Sequence, residues 1–168
     1  RTKMVEADNL GYRRTTTYLY DKNNRLTATS GDAVSVIADD LVTTSTLTPT
    51  ETFKYDRRYN VVERIDAGGA RTLFYYDDLD RVVAEVRQTS VSASTYSAFT
   101  YDAIGNRLSA RVYANAITLP TAAGGTAPTP PSGAYRETSF AYDNLGRLLS
   151  ATVSGVSVGT YASGYAVT

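Results

Sequence analysis

Tyr142-Asp143-Asn144-Leu145-Gly146-Arg147-Leu148 decides the fold, because imperfect copies of it recur along the chain. Numbered one to seven, the same frame reads Tyr20-Asp21-Lys22-Asn23-Asn24-Arg25-Leu26 and Tyr55-Asp56-Arg57-Arg58-Tyr59-Asn60-Val61. It returns as Tyr76-Asp77-Asp78-Leu79-Asp80-Arg81-Val82 and as Tyr101-Asp102-Ala103-Ile104-Gly105-Asn106-Arg107. A decayed copy, Ala7-Asp8-Asn9-Leu10-Gly11-Tyr12, lacks the leading tyrosine. Self-similarity of this kind is read first, since it sets the architecture.

Each copy has turn chemistry. Asp at position two suits the first residue of a type I turn, where its carboxylate accepts backbone N–H groups further along. Position five must then adopt positive φ, closing a bulged turn that matches the twist of two antiparallel strands. Gly11, Asn24, Asp80, Gly105 and Gly146 are residue types that visit this region at least cost. Tyr59 is the exception, and Asn60 beside it is a candidate to take the special conformation instead. Where such hairpins stack, the tyrosines are expected to form an aromatic column. Arg25, Arg81 or Arg147 would lie over a ring face, a contact worth roughly 0.5–1 kcal/mol when exposed.

The repeated Tyr-Asp-x-x-Gly-Arg-Leu frame resembles the YD repeat of RHS-repeat proteins, found also in the C component of bacterial Tc toxins and in teneurins. The resemblance spans about residues 8–153 and is weakest at residues 55–61. It implies an all-β fold of antiparallel hairpins wound as a continuous spiral sheet into a hollow shell, which in bacterial members often encloses a toxin. It also implies a secreted or cell-surface location.

The 168 residues suffice for one domain with a sizeable core. Lys plus Arg and Asp plus Glu are 17 each, so no global field favours nucleic acid or an anionic membrane. Absence of Cys excludes disulfides and thiolate metal sites, and absence of His removes the usual general base and the commonest zinc ligand. No apolar run reaches the ~20 residues of a spanning helix. With 14 of the 18 aromatic residues Tyr, and much Thr, Val and Ser, the composition suits partly wetted sheet faces.

In order, residues 12–20 and 25–30 read as the first hairpin, with a short strand at 33–37 and an irregular insertion at 38–50 that leaves room for a strand. Hairpins follow at 51–66, 71–88, 95–113 and 135–153, with a back turn at Asp66-Ala67-Gly68-Gly69. Residues 114–134, rich in Pro, Gly, Ala and Thr, read as an exposed loop on one continuous sheet over residues 1–168. The chain is expected to be a segment of a longer array, because a lone hairpin is marginal and each repeat buries a face only against neighbours.

No catalytic, cofactor or metal residues are assigned. Asp77-Asp78-Leu79-Asp80 has the carboxylate density of a Ca²⁺ site, but its aspartates serve the turn. Glu51, Glu63, Glu85 and Glu137 are read as solvent-facing strand charges, and nothing pairs two of them as a glycosidase requires. Self-cleavage and toxin segments of the resembled family have no match. The expectation is a non-catalytic structural segment, forming the wall of a shell or a surface fibre. Its partners would be flanking repeats or identical copies through sheet edges, and an enclosed toxin. The alternative is a carbohydrate-binding or adhesion module using exposed tyrosines on surface glycans. An enzyme acting on polysaccharide ranks third.

Overall fold

The computed structural model describes residues 2–7, 13–37 and 42–155. Thirteen strands follow one another without a helix among the described residues. They are β1 (Thr2–Ala7), β2 (Arg13–Tyr20), β3 (Leu26–Ser30), β4 (Val34–Ile37), β5 (Thr44–Leu47), β6 (Thr50–Tyr55) and β7 (Val61–Ile65). After them come β8 (Arg71–Tyr76), β9 (Val82–Gln88), β10 (Ser94–Tyr101), β11 (Arg107–Tyr113), β12 (Tyr135–Tyr142) and β13 (Leu148–Ser154). Eleven form one antiparallel meander in chain order, β1-β2-β3-β6-β7-β8-β9-β10-β11-β12-β13, while β4 and β5 pair separately as a small hairpin. The sheet is open, not closed or curled.

Every hairpin expected from the frame is present. One strand was not anticipated, and one that the reading of the insertion left open is present. β1 adds an edge strand beside β2, and the insertion at 38–50 supplies β5 as partner of β4. The decayed copy falls at residues 8–12, outside the described residues, as do residues 156–168.

All five described turns of the frame lie at one end of the sheet. At each, the N–H of position two bonds the carbonyl of position six, and the N–H of position five returns to the carbonyl of position two where five is Asn24, Asp80, Gly105 or Gly146. Position five has positive φ throughout: Asn24 60°, Tyr59 71°, Asp80 59°, Gly105 97° and Gly146 74°. Tyr59 itself therefore takes the left-handed conformation, correcting the expectation that Asn60 would. A register shift then follows in every copy. Tyr20 pairs with Leu26 but Leu19 with Ala28, so Thr27 is unpaired. Val62, Val83, Leu108 and Leu149 stand at the equivalent extra place. This second bulge had no signature in the turn residues. It adds local twist and re-aims one side chain per hairpin, and Val83 joins the core by it.

The core sits on one face of the middle strands. Leu73 lies opposite Val86, Tyr75 opposite Ala84, and Tyr96 opposite Val86, so the five share a face and are almost fully buried. Burial of each large apolar side chain contributes about 1.5–3 kcal/mol.

What buries them is residues 114–134. The segment expected as an exposed loop runs back across the sheet as a strap, setting Ile117, Leu119, Ala123 and Ala127 on the core. Its neck closes where the Ala114 N–H bonds the Ala134 carbonyl. Ile117 exchanges two backbone hydrogen bonds with Ser94, each 2.9 Å. The Tyr96 hydroxyl donates to the Pro128 carbonyl at 3.0 Å. At Gly124 the backbone packs against Val62, an added Cβ standing 3.4 Å from its Cγ1, and the φ of 79° is one that side-chain-bearing residues resist.

Gly146→Val should lower stability by more than about 1 kcal/mol, since a β-branched residue resists positive φ. Gly31→Ala, with open space and no positive φ, should change little. Paired urea melts of the two variants measure the difference.

Candidate functional site

The polar chemistry concentrates at the turn end of the sheet. Within a copy, one carboxylate oxygen of position two accepts two backbone N–H groups and the other accepts the side chain of position six. Asp21 Oδ1 takes the N–H of Asn23 and of Arg25, both at 2.9 Å, and Oδ2 takes Arg25 Nε at 2.7 Å. Asp77 repeats this with Leu79 and Arg81, and Asp143 with Leu145 and Arg147. Where position six is Asn, its amide replaces the guanidinium: Asn60 Nδ2 on Asp56 at 3.2 Å and Asn106 Nδ2 on Asp102 at 2.9 Å. Asp66, at the opposite end, holds the same two backbone N–H bonds, from Gly68 and Ala70.

These bonds favour the charged carboxylates. The Arg25 backbone N–H lowers the Asp21 pKa, the Arg81 guanidinium that of Asp77, and the Arg147 backbone N–H that of Asp143. At Asp56 and Asp102 burial pushes upward, but the hydrogen bonds from Asn60 and Asn106 with their neighbours outweigh it.

Between copies a second arrangement recurs. The tyrosine at position one reaches back to the preceding copy and donates its hydroxyl to the carbonyl of position seven. Tyr55 donates to Leu26 at 2.7 Å, Tyr76 to Val61 at 2.8 Å, Tyr101 to Val82 at 2.8 Å and Tyr142 to Arg107 at 3.0 Å. Where position six is Arg, its guanidinium covers that tyrosine ring and bonds the carbonyl of the next aspartate. Arg25 lies 5.1 Å from the Tyr55 centroid with Nη1 3.0 Å from Asp56 O; Arg81 lies 5.0 Å from the Tyr101 centroid with Nη1 2.8 Å from Asp102 O. Arg25 also covers Tyr59. Between the second and third copies, where Asn60 replaces Arg, Arg58 crosses instead to Asp78 O and Asp80, and Asn60 Nδ2 reaches Asp80 Oδ1.

The expected aromatic column is corrected accordingly. The motif tyrosines interleave with guanidinium groups, and the ring-to-ring contacts are Tyr96–Tyr113 at 5.5 Å and Tyr113–Tyr135 at 5.4 Å, away from the turns. Arg147 has no ring over it among the described residues and its side chain is 75% exposed.

A third cluster, missed in the sequence, lies beneath the strap. Glu63 is not a solvent-facing charge: it is 1% exposed. Register places it opposite both Lys54 and Leu73, on the core face. Burial raises its pKa, but Lys54 Nζ at 2.6 Å and Arg71 Nε at 2.5 Å outweigh that and hold it low. Arg71 Nη2 continues to the Thr121 carbonyl of the strap at 3.3 Å. Alternation across β6, β7 and β8 would have placed Glu63 with Lys54, but the strap that shuts out water left no signal.

Chemically, these groups hold backbone. Of the other strand glutamates, Glu51 pairs with Arg64 and Glu137 with Arg111. No group of His, Cys, Asp and Glu able to hold a metal occurs among the described residues. Asp77 and Asp80 are spent on the turn and on Arg58 and Asn60.

No family model matches the chain, and no curated protein matches it. A solved structure that it resembles is a porin-like protein from Bacteroides uniformis, at 16% identity and a TM-score of 0.40, over 84% of this chain. The chain spans about half the length of that protein, 51%. The expected membership of the YD-repeat family is corrected by these findings, which return a porin-like structure and no repeat family. An enclosed toxin and an extracellular location, implied by that resemblance alone, lose this support. At such identity and TM-score the porin likeness carries no functional argument either.

Arg71→Met should destabilise by about 3 kcal/mol, because it leaves a buried carboxylate with one cation fewer and unpins the strap. Thermal melts with and without Glu63→Gln, which removes the charge, test it, the second change recovering part of the loss. The turn aspartates set the acid limit. Their folded pKa values lie below the ordinary 3.8, so their contribution is full above that value and is lost as pH falls through the folded values. The melting temperature should therefore stay level from neutral pH down to about 5 and fall below about 4.

Proposed function

We propose that the chain is a non-catalytic structural element, a stretch of the wall of a larger β-assembly that extends as a fibre or winds into a shell. The observation that carries this is the joint between copies. The tyrosines Tyr55, Tyr76, Tyr101 and Tyr142 fasten one hairpin to the one before it, and the aspartate and position-six side chain of each described copy close its turn. Such a joint stiffens a sheet of any length, and each added repeat contributes the same neighbour contact. A container or scaffold needs that property.

The carbohydrate-binding reading draws less from the geometry. Stacking on a sugar needs a free ring face beside polar groups. Tyr55, Tyr76, Tyr101 and Tyr142 are half-buried with their hydroxyls committed, and of the exposed tyrosines Tyr59 faces Arg25 and Tyr135 faces Arg111, which leaves Tyr20.

Electron microscopy of the native particle containing this chain, with the intact mass of its polypeptide, tests the proposal. A filament or a hollow closed particle is the expected result. A small compact monomer at every concentration examined by light scattering would defeat it.

A further inference from the structure

The four joints between copies share the tyrosine-to-carbonyl bond, two of them add an arginine at position six, and β13 displays the receiving half of that second kind. Asp143 fixes Arg147 through Nε at 2.7 Å and through the backbone N–H at 2.9 Å, as Asp21 fixes Arg25 and Asp77 fixes Arg81. In those two copies the guanidinium goes on to a tyrosine ring and an aspartate carbonyl of the next hairpin, and its side chain is 22% and 26% exposed. At Arg147 the fixing is the same, yet exposure is 75%. Position seven, whose carbonyl takes the tyrosine hydroxyl at Leu26, Val61, Val82 and Arg107, is Leu148 here, with no tyrosine on it among the described residues. Beside it Leu148, Leu149 and Val153 are 56%, 67% and 54% exposed, and β13 has no outer strand partner among the described residues.

We propose that the outer edge of β13 is a docking edge for an extended strand that ends in Tyr-Asp, received by Arg147 and the Leu148 carbonyl. This rests on the wall reading and names the partner of its exposed rim. The register is fixed by the existing joints. In all of them the incoming tyrosine falls opposite position six, as Ala98 opposite Ala84 sets Tyr101 opposite Arg81. The ring then slides under the guanidinium, the hydroxyl meets the carbonyl of position seven, and the following aspartate offers its carbonyl to Nη1.

A second copy of this chain does not meet the requirement by its edges. Among the described residues the sheet's two edge strands are β1, Thr-Lys-Met-Val-Glu-Ala, and β13, Leu-Leu-Ser-Ala-Thr-Val-Ser, and neither carries a tyrosine. Edge-to-edge pairing of copies would satisfy backbone groups while leaving Arg147 uncovered. The partner is therefore a further hairpin of the same frame.

A fluorescent peptide of residues 94–104, which carries Tyr101-Asp102 on the β10 sequence, is the probe, titrated onto the full chain by anisotropy. Saturable binding is expected, weakened about tenfold or more by Arg147→Ala, which removes a charged hydrogen bond and a cation–π contact. A peptide carrying Tyr101→Phe should bind several-fold more weakly, a change that leaves the protein itself untouched. Absence of binding, or equal binding to Arg147→Ala of unchanged melting temperature, overturns the proposal. So does binding seen only after removal of residues 156–168, which would make the chain's own segment the occupant. Failure here with filaments or shells present in microscopy leaves the wall reading intact and β13 a plain rim. Binding here with a monomer in microscopy defeats the wall reading alone.

Discussion

A carboxylate two atoms wide holds each hairpin. The aspartate at position two has enough lone pairs to accept two backbone N–H groups on one oxygen and a side chain on the other, and it does so at Asp21, Asp56, Asp77, Asp102 and Asp143. Hydrogen bonds to a charged acceptor are stronger than neutral ones. That gain holds position five at positive φ even where the residue is Tyr59, which otherwise resists it. Everything built on the turn inherits its geometry. The aspartate aims the arginine, the arginine caps the next tyrosine, and the tyrosine fixes the next hairpin's distance.

The joint is cooperative in a simple sense. A lone two-stranded hairpin is marginal in water, and an exposed Asp–Arg pair contributes little by itself. Here the same guanidinium closes one turn, covers a ring and bonds a carbonyl of the next copy, so its entropy is lost once for three contacts. Substitutions inside the frame follow this logic. Asn60 keeps the turn and reaches Asp80 of the next copy but brings no guanidinium to it, and Arg58, two residues earlier, supplies one to the Asp78 carbonyl and Asp80. The contact survives a change in which residue makes it.

The turn end was legible because its chemistry is local. Asp followed three residues later by Gly, Asn or Asp has meaning in a single chain segment, and strand bounds followed within a residue or two. The strap was not legible, because Pro, Gly, Ala and Thr carry no periodicity and their ordinary place is solvent. Only the depth of Leu73, Val86 and Tyr96 shows that residues 114–134 are a layer of the fold. Glu63 was misread for the same reason, since burial there comes from a segment more than fifty residues away in sequence. The family reading went astray differently. A seven-residue frame specifies how a hairpin turns and stacks, and those constraints are physical before they are ancestral.

The strap also explains why the sheet is not uniform. Beneath it, β7 to β10 hold the fully buried side chains, whereas every residue of β13 is exposed. A sheet face of Leu, Val and Tyr cannot remain open to water without inviting association, and a two-layer arrangement is the ordinary remedy. This chain covers the middle strands with its own low-complexity segment, anchored at Ser94, Tyr96 and Arg71. It leaves β12 and β13 without that cover. Burial, and the stability that comes with it, is thus concentrated in the centre of the sheet, while the strand at its rim is exposed along its whole length.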